Sequence, residues 1–327
     1  MLRTLSEEDV TDVLELDALL SVVEDAFHKQ AAGAVERPDR PHFPVGTGLD
    51  PADPDEPLGT GLVMPAYLHG AEHYATKLVG VHPGNAARGL STVNAQIALT
   101  DAATGLPAAY LAGTTVTNAR TGCIGGLAVR ELATAPVTLA VLGAGTQARW
   151  QVRAVAAATD LERVRIYSPS DSKHDCVAAL DPEIDAEISA AESPEACVRG
   201  ANAVVTATTS HSPVFPGEAL DPGALVVGIG AYTPEMQELD ATTLESAARV
   251  FADVPEEVAE IGDVAATGLD ASALHPFADV LAGRAGRESE TERLVVESVG
   301  SAVLDAAASE HLLTVARERE VGTVVEV

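Results

Sequence analysis

The chain is almost without lysine: Lys29, Lys77 and Lys173 are the only three in 327 residues. Cysteine is as scarce. Cys123, Cys176 and Cys197 are odd in number and form no CxxC, so neither a disulfide framework nor a zinc knuckle is expected. The nine histidines contain no H-x-x-x-H or H-E-x-x-H arrangement, and no metal site is expected. No apolar run reaches the ~18 residues of a membrane span, and MLRTLSEEDV at the N-terminus lacks the apolar core of a signal peptide. Positive charge is short overall, with 20 Lys plus Arg against 49 Asp plus Glu and a net charge of −29. Such a surface repels nucleic acid and anionic membranes. These absences lead to the expectation of a soluble, cytoplasmic protein of enzyme size.

What is present points to a folded protein. The acids are dispersed and 46% of residues are hydrophobic, which is not the composition of a disordered acidic chain. Many carboxylates with few lysines, Phe, Trp and Met resemble the composition of a salt-adapted, halophilic protein. The length allows two domains.

Within residues 1–30 one helix is expected, LDALLSVVEDAFHKQAAG, from its three-and-four apolar spacing and closing glycine. A Pro-, Gly- and Asp-rich loop follows, then strands at 61–67, 73–82 and 94–100. TTVTNARTGCIGGLAVRELA begins a helix with a small-residue face. From 137 the pattern alternates strand and helix, with VTLAVL, VRIYS, DAEISAA, ANAVVTAT, GALVVGIG and RVFADV as strands. That alternation predicts a parallel sheet covered on both faces. SVGSAVLDAAASEHLLTVARERE is a long amphipathic helix, and VGTVVEV after it is strand-like. The early strands are too few to close a core, so the C-terminal helix is expected to return to them. The predicted fold is α/β: a Rossmann-type doubly wound parallel sheet (126–299) inserted into a smaller α+β substrate and dimerisation domain (1–125 plus 300–327).

VLGAGTQARW at 141–150 fits G-x-G-x-x-A between a strand and a helix. Gly143 permits the tight turn, Gly145 lets backbone approach a pyrophosphate, and Ala148 allows close helix–sheet packing. Main-chain N–H groups at Thr146 and Gln147 open the helix toward phosphate. At the end of the second strand, where an acid would hold the ribose of NAD, stands Ser168. Ser168, Ser170 and Lys173 suit a 2′-phosphate and Asp171 opposes one, a balance that leans from NAD to NADP.

The stretch YATKLVGV, residues 74–81, sets Lys77 in an apolar strand with no other charge. A lone strand lysine either snorkels to solvent from an edge or is held inside for a purpose. The blocks around it decide the matter. RPDRPHF, MPAYL, TKLVGVHPGN, GLSTVNAQIALTDAATGLPAAYLAGTTVTNARTG, VLGAGTQAR, VVTATTS, GIGAYTPEMQELD, IGDV and SVGSAVLDAAA resemble, in order, the ornithine cyclodeaminase/μ-crystallin family. Its members include ornithine cyclodeaminases, archaeal-type alanine dehydrogenases and ketimine and other imine reductases.

The resemblance implies that Arg40 (in RPDRP), Lys77 and Arg120 (in TNARTG) bind a substrate carboxylate, where each arginine taken alone would read as a surface or capping ion pair. It implies a homodimer, and a small amino, keto or imino acid as substrate. A lysine desolvated beside two arginines has its pKa lowered, which suits proton donation. Thr92 and Asn94 are further substrate candidates, or plain surface positions. Thr121 beside Arg120, and Thr206 and Thr208 where a parallel strand ends, are candidate dinucleotide contacts, or helix and turn bonds. Val299 and Gly300 match the segment that lies near the nicotinamide, and Asp305 after them is a helix cap or an ion-pair partner.

One position departs from the family. The cyclodeaminase motif G-x-D-x-P-G-x-x-E-L carries a catalytic aspartate, and the aligned residue here is Tyr232. A phenol offers no carboxylate to a distal ammonium, though its hydroxyl can donate a proton. The expected activity is therefore an NAD(P)-dependent oxidoreductase on C–N bonds, reducing an α-imino acid or ketimine or deaminating a small L-amino acid, with Lys77 and Tyr232 as catalytic residues. The alternatives are an ornithine cyclodeaminase and a non-catalytic NADP-binding protein of the μ-crystallin kind.

Overall fold

Alternating apolar residues make Gly59–Leu68 and His73–Val81 a pair of antiparallel strands, with Leu62, Met64, Ala66, Ala75 and Lys77 turned inward. In the computed structural model, which describes residues 1–326, they belong to an eight-stranded sheet. Its order runs Thr323–Val325, Leu2–Leu5, Pro107–Ala112, Val93–Asp101, His73–Val81, Gly59–Leu68 and Val35–Glu36, with His42–Val45 also on Gly59–Leu68. The helix Ala302–Glu318 packs on Gly59–Leu68 and His73–Val81, the return that the sequence requires. The strand Leu2–Leu5 and the helix Glu7–Val13 were not anticipated; a capping box at Ser6 and Asp9 starts that helix. Val327, the last residue of the strand-like VGTVVEV, lies outside the described residues. This first unit comprises Met1–Glu15, Ala32–Arg120 and the segment from Ala302.

The second unit, Leu16–Ala31 with Thr121–Ser301, holds a second eight-stranded sheet, parallel throughout. Its order is Glu187–Ala190, Leu161–Tyr167, Val137–Leu142, Ala203–Thr206, Leu225–Gly228, Leu294–Glu297, Arg249–Ala252 and His275–Pro276. Strand order reverses between Val137–Leu142 and Ala203–Thr206, the kind of switch point at which open α/β sheets bind ligands. The fold is thus α/β, with a Rossmann-type sheet inserted into a smaller α+β unit.

Three details differ from expectation. Leu294–Glu297, unassigned from sequence, is a buried strand between Leu225–Gly228 and Arg249–Ala252. The helix Leu16–Ala31 belongs with the second unit, not with the first 125 residues. Its buried Phe27 meets Phe277 edge-on at 5.4 Å, and the helix also packs on Thr146–Ala158. The boundary falls at Arg120/Thr121 within the helix Gly113–Leu132, a little before the position read from sequence. Beyond that boundary the small-residue face does its expected work. A Cβ on Gly122 or Gly126 would come within 2.7 Å of the Trp150 or Ala154 carbonyl oxygen, so glycine lets the helix Thr146–Ala158 come close.

Candidate functional site

The first unit gathers its charges around Lys77. Register places Lys77 opposite Met64 and Ile97 on the inner face of the sheet, under the helix Ala302–Glu318. The side chain is 2% exposed, so it does not snorkel. Its Nζ donates to Asp305 Oδ2 at 2.5 Å, and Arg120 Nε donates to Asp305 Oδ1 at 2.8 Å. Asp305 is therefore an ion-pair partner, at 1% exposure, and Arg120 is 4% exposed. Burial pulls the Lys77 ammonium from 10.5 to about 8, with the Arg120 and Arg40 charges acting the same way and Asp305 opposing them. Burial alone would raise the Asp305 carboxyl, but Arg120 and Lys77 outweigh it and hold it below its ordinary value.

Arg40 is half-buried on the loop before His42–Val45, and its charge reaches Lys77. One turn before Arg120, the hydroxyl of Thr117 is buried without a partner, as though awaiting an acceptor. Asn94 does not join the cluster. It pairs with Gly80, an odd number of residues from the Lys77–Ile97 pair, so it points to the opposite face, exposed, and donates to the Ser91 carbonyl at 2.9 Å. Thr92 precedes the strand, and its carbonyl closes the turn by accepting from His82 N at 2.8 Å. A cavity of about 360 Å³ lined by Glu36, Pro65, Tyr67 and Tyr74 contains none of the three cations.

In the second unit the phosphate turn stands at the carboxyl end of Val137–Leu142. Gly143 has φ +118°, and a Cβ there would lie 2.5 Å from the Ala207 carbonyl oxygen, which makes glycine obligatory. Gly145 is different: it has nothing within 4 Å of a Cβ position, and it and Thr146 are exposed. It is also the N-cap of Thr146–Ala158, so no side chain takes the first-turn N–H groups. Gln147 Nε2 is buried without a partner, and Ala148 is fully buried against the sheet. Open space, unclaimed N–H groups and an orphan donor together fit a dinucleotide pyrophosphate.

At the end of the second strand Ser168 is buried, and its hydroxyl is bonded to Ser170 at 3.3 Å and to Ser172 at 3.2 Å. Lys173 Nζ lies 5.3 Å over the Tyr167 ring. Thr121 is half-buried, its carbonyl accepting from Gln151. Thr208 is half-buried, but Thr206 is wholly buried and gives its hydroxyl to Glu238 at 2.8 Å. Thr206 is thus a structural partner of a carboxylate and not an exposed dinucleotide contact. The N–H groups of Val299 and Gly300 donate to Asp253 at 3.1 and 2.8 Å. Tyr232 is half-buried against the core of this unit, and burial raises its phenol pKa, so it stays neutral.

Four buried acids in this unit were not singled out from sequence. Glu238 accepts from Thr206, from Thr208 N at 2.5 Å and from Gly230 N at 2.7 Å, tying together the loops after two strands. Asp263 in turn accepts from Glu238 N and Leu239 N, each at 2.7 Å. Burial, with the Glu238 charge adding, lifts Asp263 to about 7. Glu297 has neither oxygen hydrogen-bonded, and burial plus the charges of Asp263, Glu238 and Asp253 raises it well above the carboxylate range. Among the described residues no group of His, Cys, Asp and Glu is arranged to hold a metal ion. No helix there is long and apolar enough to cross a membrane.

Similarity to known proteins covers this whole arrangement. A family model described as ornithine cyclodeaminase/mu-crystallin matches residues 3–320. A Δ1-pyrroline-2-carboxylate reductase of Bacillus cereus is 33% identical over 297 residues, 88% of this chain and 90% of the relative. The solved Δ1-pyrroline-2-carboxylate reductase of Thermococcus litoralis, in complex with NADH and L-proline, superposes with a TM-score of 0.92. It is 29% identical over 99% of this chain and 100% of its own. An archaeal alanine dehydrogenase dimer with bound NAD gives a TM-score of 0.88 at 28% identity over 99% of this chain and 98% of that one.

Proposed function

The chain belongs to the ornithine cyclodeaminase/mu-crystallin family, and on that premise we propose that it reduces a small α-imino acid, a cyclic ketimine first among them, with Lys77 as proton donor. It is an enzyme, a nicotinamide-dinucleotide-dependent oxidoreductase of carbon–nitrogen bonds working as an imine reductase or amino acid dehydrogenase. The observation that carries the substrate reading is the fully buried ammonium of Lys77 beside the guanidinium of Arg120 and the charge of Arg40.

Arg120 and Arg40 hold the substrate carboxylate, arginine supplying a planar fork. Lys77 shares that anchor and donates its proton to the imine nitrogen, a transfer favoured by a pKa near the working pH. When bound, the reduced nicotinamide supplies the hydride that the imine carbon accepts. Lys77, left as the neutral amine, regains a proton from solvent. A neutral, half-buried Tyr232 can donate a hydrogen bond but cannot orient a second ammonium, which weighs against ornithine cyclisation.

For the cofactor, the hydroxyls of Ser168, Ser170 and Ser172 in place of an acid support acceptance of NADPH beside NADH. For assembly, Tyr74, Leu78 and Tyr110 are exposed together on the sheet face opposite Lys77, which supports a homodimer through that face. Tyr110→Glu should then yield monomers in light scattering, and an unchanged mass would refute this face. The net charge of −29 and near absence of lysine support activity in high salt.

The deciding assay supplies NADH or NADPH in molar potassium chloride with Δ1-pyrroline-2-carboxylate, with pyruvate plus ammonia or methylamine, and separately NAD with ornithine. Imine-dependent cofactor oxidation is expected. Proline and ammonia from ornithine without net cofactor change, or tight cofactor binding with no turnover, would overturn the reading.

A further inference from the structure

The groups facing Lys77 Nζ come from three elements: Asp305 from the helix Ala302–Glu318, Arg120 from the helix Gly113–Leu132, and Arg40 from its loop. Burial and both guanidiniums favour the neutral amine, and Asp305 alone among these favours the ammonium. Asp305 also divides its two oxygens between two cations, Oδ2 to Lys77 Nζ at 2.5 Å and Oδ1 to Arg120 Nε at 2.8 Å. Taking Arg120 by Nε leaves the outer Nη1/Nη2 edge without a hydrogen bond among the described residues. That edge is the one that grips a carboxylate through two parallel bonds. At 1% exposure Asp305 is satisfied by these cations and not by bulk water.

We infer that Asp305 is a positioning residue of the reaction: one buried carboxylate keeps Lys77 protonated as the acid and turns the Arg120 fork outward as the anchor of the substrate carboxylate. The inference rests on the reading of Lys77 as proton donor, and it deepens that reading by assigning the source of the proton's retention. A side chain that served only packing would leave the charge state of Lys77 unchanged.

The scarcity of lysine makes the test direct. Protein labelled with 13C at lysine Cε shows three side-chain signals, and the one lost in Lys77→Met is Lys77. In the wild type it is expected to titrate at about 8. In Asp305→Asn the midpoint should fall by about 1–3 pH units, as expected on loss of an adjacent opposite charge. The falling limb of kcat/KM for imine reduction against pH should move down with it, while the affinity for NADH stays at the wild-type value. A titration that does not move in Asp305→Asn overturns the inference. If that variant does not fold, the wild type decides alone. A Lys77 midpoint below about 6, the range of buried lysines without a partner, would mean that Asp305 does not sustain the proton. The NMR readout needs no turnover. A shifted midpoint in a protein that reduces no imine supports the role of Asp305 and removes the functional reading. An unmoved midpoint in an active reductase removes the role of Asp305 alone.

Discussion

Lys77→Met separates chemistry from stability more sharply than any other substitution in this chain. The lysine is buried at 2% exposure and its ammonium is held at about 8 against an ordinary 10.5. Below about pH 8 the folded and unfolded chains both carry this proton, and the full burial penalty stands. Between about 8 and 10.5 the folded chain has released a proton that the unfolded chain keeps, so stability rises with pH through that window. At neutral pH the gap of about 2.5 units corresponds to a net penalty of about 3 kcal/mol, with the attraction of Asp305 already included. Methionine removes that penalty while Arg120 Nε stays on Asp305 at 2.8 Å. The variant should therefore be no less stable than the wild type, and up to about 3 kcal/mol more stable. Activity moves the other way. Loss of the proton donor costs about 10²–10⁴ in rate, and the lost anchor weakens substrate binding by about tenfold more. The checks are urea denaturation in high salt, kcat/KM for imine reduction, and NADH titration by fluorescence. The NADH affinity should be unchanged, since the phosphate turn belongs to the other unit. A kcat/KM within tenfold of wild type would refute the assignment of Lys77.

The two turn glycines should behave oppositely. Gly143→Ala places a Cβ 2.5 Å from the Ala207 oxygen at φ +118°, and should destabilise by about 1–3 kcal/mol in denaturation. Gly145→Ala meets open space at φ −81°, so stability should hold within about 0.5 kcal/mol. Its methyl would stand where the pyrophosphate must approach, and NADH affinity should drop at least about tenfold; equal affinity would exclude this turn as the dinucleotide site. Glu297→Gln should stabilise the protein at alkaline pH. Because the folded carboxyl titrates well above its ordinary value, the folded chain keeps a proton that the unfolded chain releases as pH rises past about 4.5. The wild type therefore loses up to about 1.4 kcal/mol per pH unit from this one group. The gain in Glu297→Gln should grow from pH 5 to 8 and vanish near 4.5, and a difference independent of pH would show that Glu297 ionises normally.

Much of the fold was legible because it rests on local patterns. Alternation marks His73–Val81, a short apolar run and glycine turn mark Val137–Leu142 and the helix after it, and both lie within a residue or two of expectation. Leu294–Glu297 escaped because its apolar run is short and ends in an acid, which reads as a strand only when the carboxyl is known to be buried. The helix Leu16–Ala31 was legible as a helix but not by partner, since the Phe27–Phe277 contact joins residues far apart in sequence. Asn94 failed for a related reason. Its face follows from the pairing of Lys77 with Ile97, and the irregular turn between the strands hides that register from the sequence.

The site divides by sign of charge. In a chain with three lysines, a lysine in an apolar strand stands out, and Lys77 could be questioned from sequence alone. Among 49 acidic residues, Asp305 could be named only as a cap or an ion-pair partner of no stated cation, and Glu238, Asp263 and Glu297 read as members of a crowd whose ordinary place is the solvated surface. Only burial separates them: each of the four is at most 1% exposed. The same excess of acids thus masks the ones that organise the interior. The most telling of them, Asp305, lies on the last long helix, where its side chain reaches back to the one lysine that could be noticed. A surface rich in carboxylates costs little to maintain, whereas each buried one must be paired or hold its proton. The interior solves this in two ways. In the first unit Asp305 is neutralised by cations, and in the second the cluster around Glu297 retains protons. Among the described residues only the first arrangement places a titratable proton beside groups able to hold a carboxylate, which supports the proposed role of Lys77 as the acid.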